Sequence, residues 1–215
     1  MPKDLAIILH SGGLCSAVAA ALAGQRYRIV LIHVEGFGPA PARRKAVYDE
    51  QVGVLKPYRE HTLALPFLNG LEPQTHASAT LADLRSADAS ATALIDLMPL
   101  VAVAARYAVH YQAAAVYAGL RVGPLGDELS AATEFGQIWN EMWQIPCRQA
   151  ELELVMPLLE LEPWQVVDVG VQINVALEKT WSCSEEGTAA CGTCRGCRAR
   201  EAAFTQAVKA DPLKK

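Results

Sequence analysis

The sequence has no run near the roughly 18 uninterrupted apolar residues that a membrane span requires, so no membrane partner is expected. It also has no basic excess: 19 Lys and Arg against 23 Asp and Glu give a formal net charge of −4. That balance supplies no general positive field for a phosphate backbone, and nucleic acid is not expected as a partner despite the local cluster Arg195, Arg198 and Arg200. Met1-Pro-Lys-Asp4 runs directly into an apolar segment, without the basic region, apolar stretch and small-residue cleavage site of a signal peptide, which leads to a cytoplasmic expectation. No internal repeat and no low-complexity tract stand out beyond alanine enrichment. What remains is 215 residues, 52% of them hydrophobic, which suits a soluble chain with one main domain and a substantial core.

Apolar runs alternate with helical patterns along the chain. Leu5 to Leu9 reads as a strand ending at His10-Ser11-Gly12-Gly13, after which Leu14, Ala17, Val18, Ala21 and Leu22 recur at helical spacing as far as Gly24. Ile29 to Val34 is a second strand, stopped by the Gly/Pro-rich 36–41 and followed by a helical pattern through Val54. A third strand is expected over His61 to Leu65, then a poorly patterned stretch from Asn69 to Ala89, a long helix over Ala91 to His110, and a fourth strand over Ala113 to Ala118. Arg121 to Ala132 reads as loop, Thr133 to Trp143 as helix and Leu152 to Met156 as a fifth strand. Proline at 163 opens another helix, where its missing N–H costs nothing, and a last helix is expected from Arg198. Continuous apolar strands, each followed by a helix, predict an α/β fold with a doubly wound, mostly parallel sheet covered on both faces.

Four of the six cysteines fall within fifteen residues as Cys183-x7-Cys191-x2-Cys194-x2-Cys197. Four soft ligands from one compact segment match the way structural zinc is held, with disulfides and an iron–sulfur cluster as the rival readings. Gly187, Gly192 and Gly196 are expected to let the backbone turn tightly between the ligands. With four thiolates on the ion no position is left for substrate water, so the ion would be structural. Cys147, beside Pro146, reads as a packed or semi-exposed thiol.

The segment Ser11-Gly12-Gly13-Leu14-Cys15-Ser16 lies between strand and helix, where backbone N–H groups and a helix N-terminus favour an anion. On its own it is equally a turn that needs small residues. Together with Thr180-Trp-Ser-Cys183 and Ala190-Cys-Gly-x-Cys194-x-x-Cys197, it resembles the 7-cyano-7-deazaguanine synthases, a family of PP-loop ATP-using enzymes. The likeness extends through Ala104-Ala-x-Tyr107-Ala108, Tyr117-Ala-Gly119, Glu134-Phe135 and Pro157-Leu158. It implies ATP held by Ser11, Gly12, Gly13, Leu14 and Ser16, with magnesium, and a structural zinc ion on Cys183, Cys191, Cys194 and Cys197. The implied activity is an ATP-dependent C–N ligase or nitrile synthase that converts 7-carboxy-7-deazaguanine and ammonia, through an amide, to the nitrile of queuosine biosynthesis. It further implies a nucleotide-binding body over 1–179 and a zinc-binding segment with a terminal helix over 180–215.

The departures from that pattern concern charge. Cys15 stands where the family has aspartate, and a thiol is a poor ligand for a hard magnesium ion. Asp96 and Leu97 replace an Arg-Asn pair, Arg121 replaces an asparagine, Glu128 to Ala132 replace Tyr-Pro-Asp-Cys-Arg, and Pro163 replaces a lysine. The catalytic residues are therefore open, and the chain is either a synthase with an altered active site or a homologue that keeps fold and zinc and binds a nucleotide or a protein partner. Cys15 either fills space or, near a helix N-terminus, has a lowered pKa and heightened reactivity. His10 and His33 are expected to pack or face solvent, with a ligand contact at the sheet edge as the sharper option; Arg43, Arg44 and Lys45 are either phosphate contacts or a solvated helix start. Trp139, Met142, Trp143 and Trp164 suggest core or the surface of a homodimer.

Overall fold

The computed structural model describes residues 4–36, 38–69, 87–124, 126–147 and 152–213. Five parallel strands, β1 (Leu5–Leu9), β2 (Arg28–Glu35), β3 (Arg59–Ala64), β4 (Ala115–Ala118) and β5 (Glu153–Val155), lie in the order β3-β2-β1-β4-β5. Helix α1 (Leu14–Gly24) follows β1, α2 (Pro41–Leu55) follows β2, and the short α3 (Pro66–Asn69) follows β3. Helix α4 (Ala87–Tyr111) precedes β4, α5 (Asp127–Cys147) connects β4 to β5, and α6 (Pro163–Gln172) and α7 (Arg195–Gln206) complete the chain. Most of the stretch expected to be poorly patterned, Asn69 to Ala89, lies outside the described residues.

The alternation of side chains along a strand explains why β1 is buried at all five positions. Ile7, Leu9, Val30, Ile32 and Val116 point toward α4 and α5, where they meet Leu97, Val101, Ala104, Ala108 and Trp143. Ala6, Ile8, Ile29, Leu31 and Tyr117 point the other way, toward Ala20, Ala23 and Tyr48. Each fully buried aliphatic side chain contributes about 1.5–3 kcal/mol, so a run apolar on both faces holds only where both are covered. The doubly wound α/β expectation is borne out. Strand β3 alternates exposed with partly buried residues and carries Arg59 and Glu60, as suits an edge.

The differences from expectation include two helix starts and the role of one glycine. Helix α5 begins at Asp127, inside the stretch read as loop, because Asp127 and Glu128 in its first turn complement the helix dipole. Helix α7 begins at Arg195 rather than 198, since the Cys194 sulfur accepts the Cys197 N–H at 3.4 Å and caps it. Gly196 lies in that first turn, where a Cβ would overlap the Ser182 carbonyl oxygen; close approach, rather than turning, requires glycine there.

By length and composition, one described helix could cross a bilayer, Ala93–Tyr111 of α4, with mean hydropathy 1.4. It packs one face on β1, β4 and α5 through Val101, Ala104, Ala105 and Ala108, and carries Asp96 and Arg106. Trp143 is 2% exposed and Trp139 is partly buried between Phe135 and Trp143, so both belong to the core, whereas Met142 faces outward with Ile138 and Ile145. Trp164 is partly buried on α6. Cys147 is a partly exposed free thiol packed against the apolar core, where burial raises its pKa.

Candidate functional site

Strand order places β1 between β2 and β4, so the chain reverses its direction of travel across the sheet at the β1/β4 junction. In open α/β sheets, ligands bind at the carboxyl ends of the strands flanking such a switch point. A cavity of about 580 Å³ opens there. The Ser11–Ser16 turn forms its floor, and the end of β4 closes against that turn: a Cβ on Gly119 would sit 2.7 Å from the Ser16 nitrogen. Gly12 has φ +77°, and a Cβ there would meet the Arg44 carbonyl oxygen at 2.7 Å, so glycine is required on both counts.

The turn is held from several sides. The Ser11 N–H donates to Ser16 Oγ at 3.3 Å, that of Gly12 to His10 Nδ1 at 3.1 Å and that of Gly13 to Ser11 Oγ at 3.3 Å. Ser16 Oγ donates to the Gly13 carbonyl at 3.0 Å. The amides expected to meet an anion at residues 11 to 13 are thus engaged internally. The N-cap of α1 is Gly13, which supplies no side-chain cap, so the first turn of the helix is where an anion could be met.

His10 and His33 are 2% and 3% exposed and both line the cavity. The His33 Nδ1–H donates to the His10 carbonyl at 3.0 Å, and its ring stacks on Tyr48 at 4.6 Å. Burial, then the neighbouring His33, lower the His10 pKa to about 3, so the imidazole is neutral and Nδ1 accepts from the turn. Of the basic trio on α2, Arg43 lies over the Trp181 ring at 4.8 Å, Lys45 pairs with Asp49 at 2.7 Å, and Arg44 lines the cavity.

The substituted positions converge. Cys15, Asp96, Leu97, Arg121 and Pro163, scattered over 149 residues of sequence, all line this one cavity. Ala132 does not; it is buried within α5. Cys15 is partly buried and its pKa is raised by burial, with the positive charge of Arg121 acting in the opposite direction. The lowered pKa considered for a thiol near a helix N-terminus is thus not what burial produces here. A hard divalent ion does not fit this position: the thiol is soft and protonated near neutral pH, and a guanidinium stands beside it.

The cysteine segment forms another wall, through Trp181, Ser182, Gly196 and Arg200. The Trp181 N–H donates to the Gly12 carbonyl at 3.0 Å, and Gln51 Nε2 donates to the same oxygen at 3.1 Å. Glu186 accepts the N–H groups of Ala42 and Arg43, both at 2.9 Å, and so docks the segment on the first turn of α2. These contacts had no signal in local sequence pattern.

Cys183, Cys191, Cys194 and Cys197 bring their sulfurs within 4.8 Å of one another. Sulfurs on a tetrahedral ion with bonds of about 2.3 Å lie about 3.8 Å apart. The observed separations of 3.4 Å for Cys183–Cys191, 3.9 Å for Cys183–Cys194 and 4.0 Å for Cys191–Cys197 bracket that value, and all four are free thiols. Backbone N–H groups of Glu185 and Cys191 donate to Cys183 Sγ, and that of Ser184 to Cys194 Sγ, bonds that would also stabilise these sulfurs as thiolate ligands of a metal. Hydrogen bonds, from the Thr193 backbone first, lower the Cys191 pKa to about 6. The group fits a single metal ion.

The model of the family described as queuosine biosynthesis protein QueC matches residues 5–208. The 7-cyano-7-deazaguanine synthase of Aliarcobacter butzleri is 26% identical over 216 residues, 97% of this chain and 94% of its own. That of Sulfurovum sp. is 27% identical over 220 residues, 97% of this chain and 96% of its own. Among solved structures, NMN synthetase from Francisella tularensis superposes with TM-score 0.50 at 19% identity, covering 97% of this chain and 79% of that one. The U34-tRNA thiolase NcsA from Methanococcus maripaludis gives 0.51 at 9%, covering 93% and 64%. At those identities the structures show only the fold, whereas the family match extends from β1 to the end of α7: the chain is a divergent member of the QueC family of queuosine biosynthesis proteins.

Proposed function

We propose that the protein is an ATP-dependent synthase that converts 7-carboxy-7-deazaguanine and ammonia, through an amide, to 7-cyano-7-deazaguanine. The observation that carries this reading is the uncapped first turn of α1, opening into a cavity at the topological switch point and walled by the cysteine segment. ATP binds over Ser11, Gly12, Gly13, Leu14 and Ser16, with its phosphates at the α1 N-terminus, and zinc holds Cys183, Cys191, Cys194 and Cys197. Residues 1–179 form the nucleotide-binding body and 180–215 the zinc segment, which shapes the cavity without entering the chemistry. Thiolate ligands must remain reduced, which suits the cytoplasm.

Incubation of the zinc-loaded protein with ATP, ammonia and 7-carboxy-7-deazaguanine is expected to yield the nitrile by mass spectrometry. ATP binding without any amide or nitrile product would overturn the synthase reading in favour of a homologue that only binds nucleotide. A homodimer through the outer face of α4 and α5 is also expected, since Ile95, Met98, Ile138, Met142 and Ile145 are exposed there. Light scattering at micromolar concentration checks it; a monomer mass would exclude it.

A further inference from the structure

We propose that in this cavity the negative charge of the bound nucleotide is met by the Arg121 guanidinium, in place of a divalent cation anchored at position 15. The inference rests on the nucleotide-binding reading above and goes beyond it.

Cys15, in the first turn of α1 after β1, and Arg121, in the loop after β4, both line the cavity at the switch point. Gly119 lets those segments close, since any side chain there would strike the backbone of Cys15 and Ser16. The closure puts Cys15 and Arg121 into the lining of the same cavity. A magnesium ion needs hard oxygen ligands in an octahedron. Near this position the structure offers a neutral sulfur and the hydroxyls of Ser11 and Ser16, which lie 3.2 Å apart and are already bonded to the turn. A dication there would also meet the fixed positive charge of Arg121. Among the described lining residues Asp96, on α4, is the only carboxylate, against Arg44, Arg121 and Arg200. Arg200 is committed to Asp211, Thr180 and Leu177. Arg121 lines the cavity together with Leu14, Cys15 and Ser16 of α1, and its planar fork matches two phosphate oxygens at once.

The test is calorimetric titration of the zinc-loaded protein with a non-hydrolysable ATP analogue, in excess magnesium and, separately, in magnesium-free buffer. Affinity is expected to differ less than about threefold between the two, while Arg121→Gln weakens binding about 10- to 100-fold in both and Arg121→Lys falls between. The double variant Cys15→Asp, Arg121→Asn should instead bind only with magnesium. Native binding that requires magnesium, or that is indifferent to Arg121→Gln in a variant of native circular dichroism, would overturn the inference and leave the nucleotide reading standing. Absence of binding by the native protein under either condition would overturn the nucleotide reading itself, and this inference with it.

Discussion

Stripping the metal from the cysteine segment will lower the melting temperature by about 10 °C or more and abolish nucleotide binding together with it. Structural zinc bound to four thiolates contributes an apparent 10 kcal/mol or more to the segment that it folds, and in a domain of this size each kcal/mol is worth about 2–4 °C. The consequence is large because the segment is built into the body. Cys183 and Cys197 are 1% and 8% exposed and pack with Ala40, Val47 and Trp181. Trp181 bonds the Gly12 carbonyl of the turn, and Glu186 caps α2. Without the ion, four thiols at close quarters have no common partner and these contacts loosen together. Scanning calorimetry with and without a strong chelator measures the shift, and elemental analysis should give one zinc per chain. Re-addition of zinc restores both properties; unchanged melting after verified metal removal would show the segment to be held by its packing alone.

Arg200→Met is expected to destabilise the protein by about 3–5 kcal/mol, because it leaves a buried carboxylate without its charged partner. Arg200 and Asp211 form a salt bridge at 2.9 Å with side chains 5% and 6% exposed. The same guanidinium donates to Thr180 Oγ1 at 2.6 Å and to the Leu177 carbonyl at 3.0 Å, tying α7 to the stretch that leads into the cysteines. Desolvating two charges is costly, so the pair is worth much less than the penalty for breaking it. The double variant Arg200→Met, Asp211→Leu should therefore be more stable than Arg200→Met alone, by denaturant unfolding. If the two single losses simply added, the coupling inferred from burial would be absent.

Much of the fold is legible residue by residue. Uninterrupted apolar strands such as Ile29 to Ile32 are explained only by burial on both faces, which implies helices on both sides. The start of α5 was not legible: Asp127 and Glu128 act through the helix dipole, a signal weaker than the neighbouring Gly and Pro that suggested loop. The start of α7 was not legible either, since its cap is the Cys194 sulfur. Tertiary context also weighs against the reactive alternative for Cys15, whose thiol pKa is raised by burial although it stands near a helix N-terminus.

The sequence by itself determined the α/β class, the turn from Ser11 to Ser16 and the four cysteines able to hold a metal ion, because apolar periodicity, glycine and soft ligands at short spacing act over a few residues. Only the tertiary structure decided that Cys15, Asp96, Leu97, Arg121 and Pro163 share one cavity, so that a guanidinium accompanies the thiol found where a carboxylate would be expected. Parallel strand order makes that decision: it places β4 beside β1 and so joins two loops more than a hundred residues apart, a distance over which local pattern carries no information.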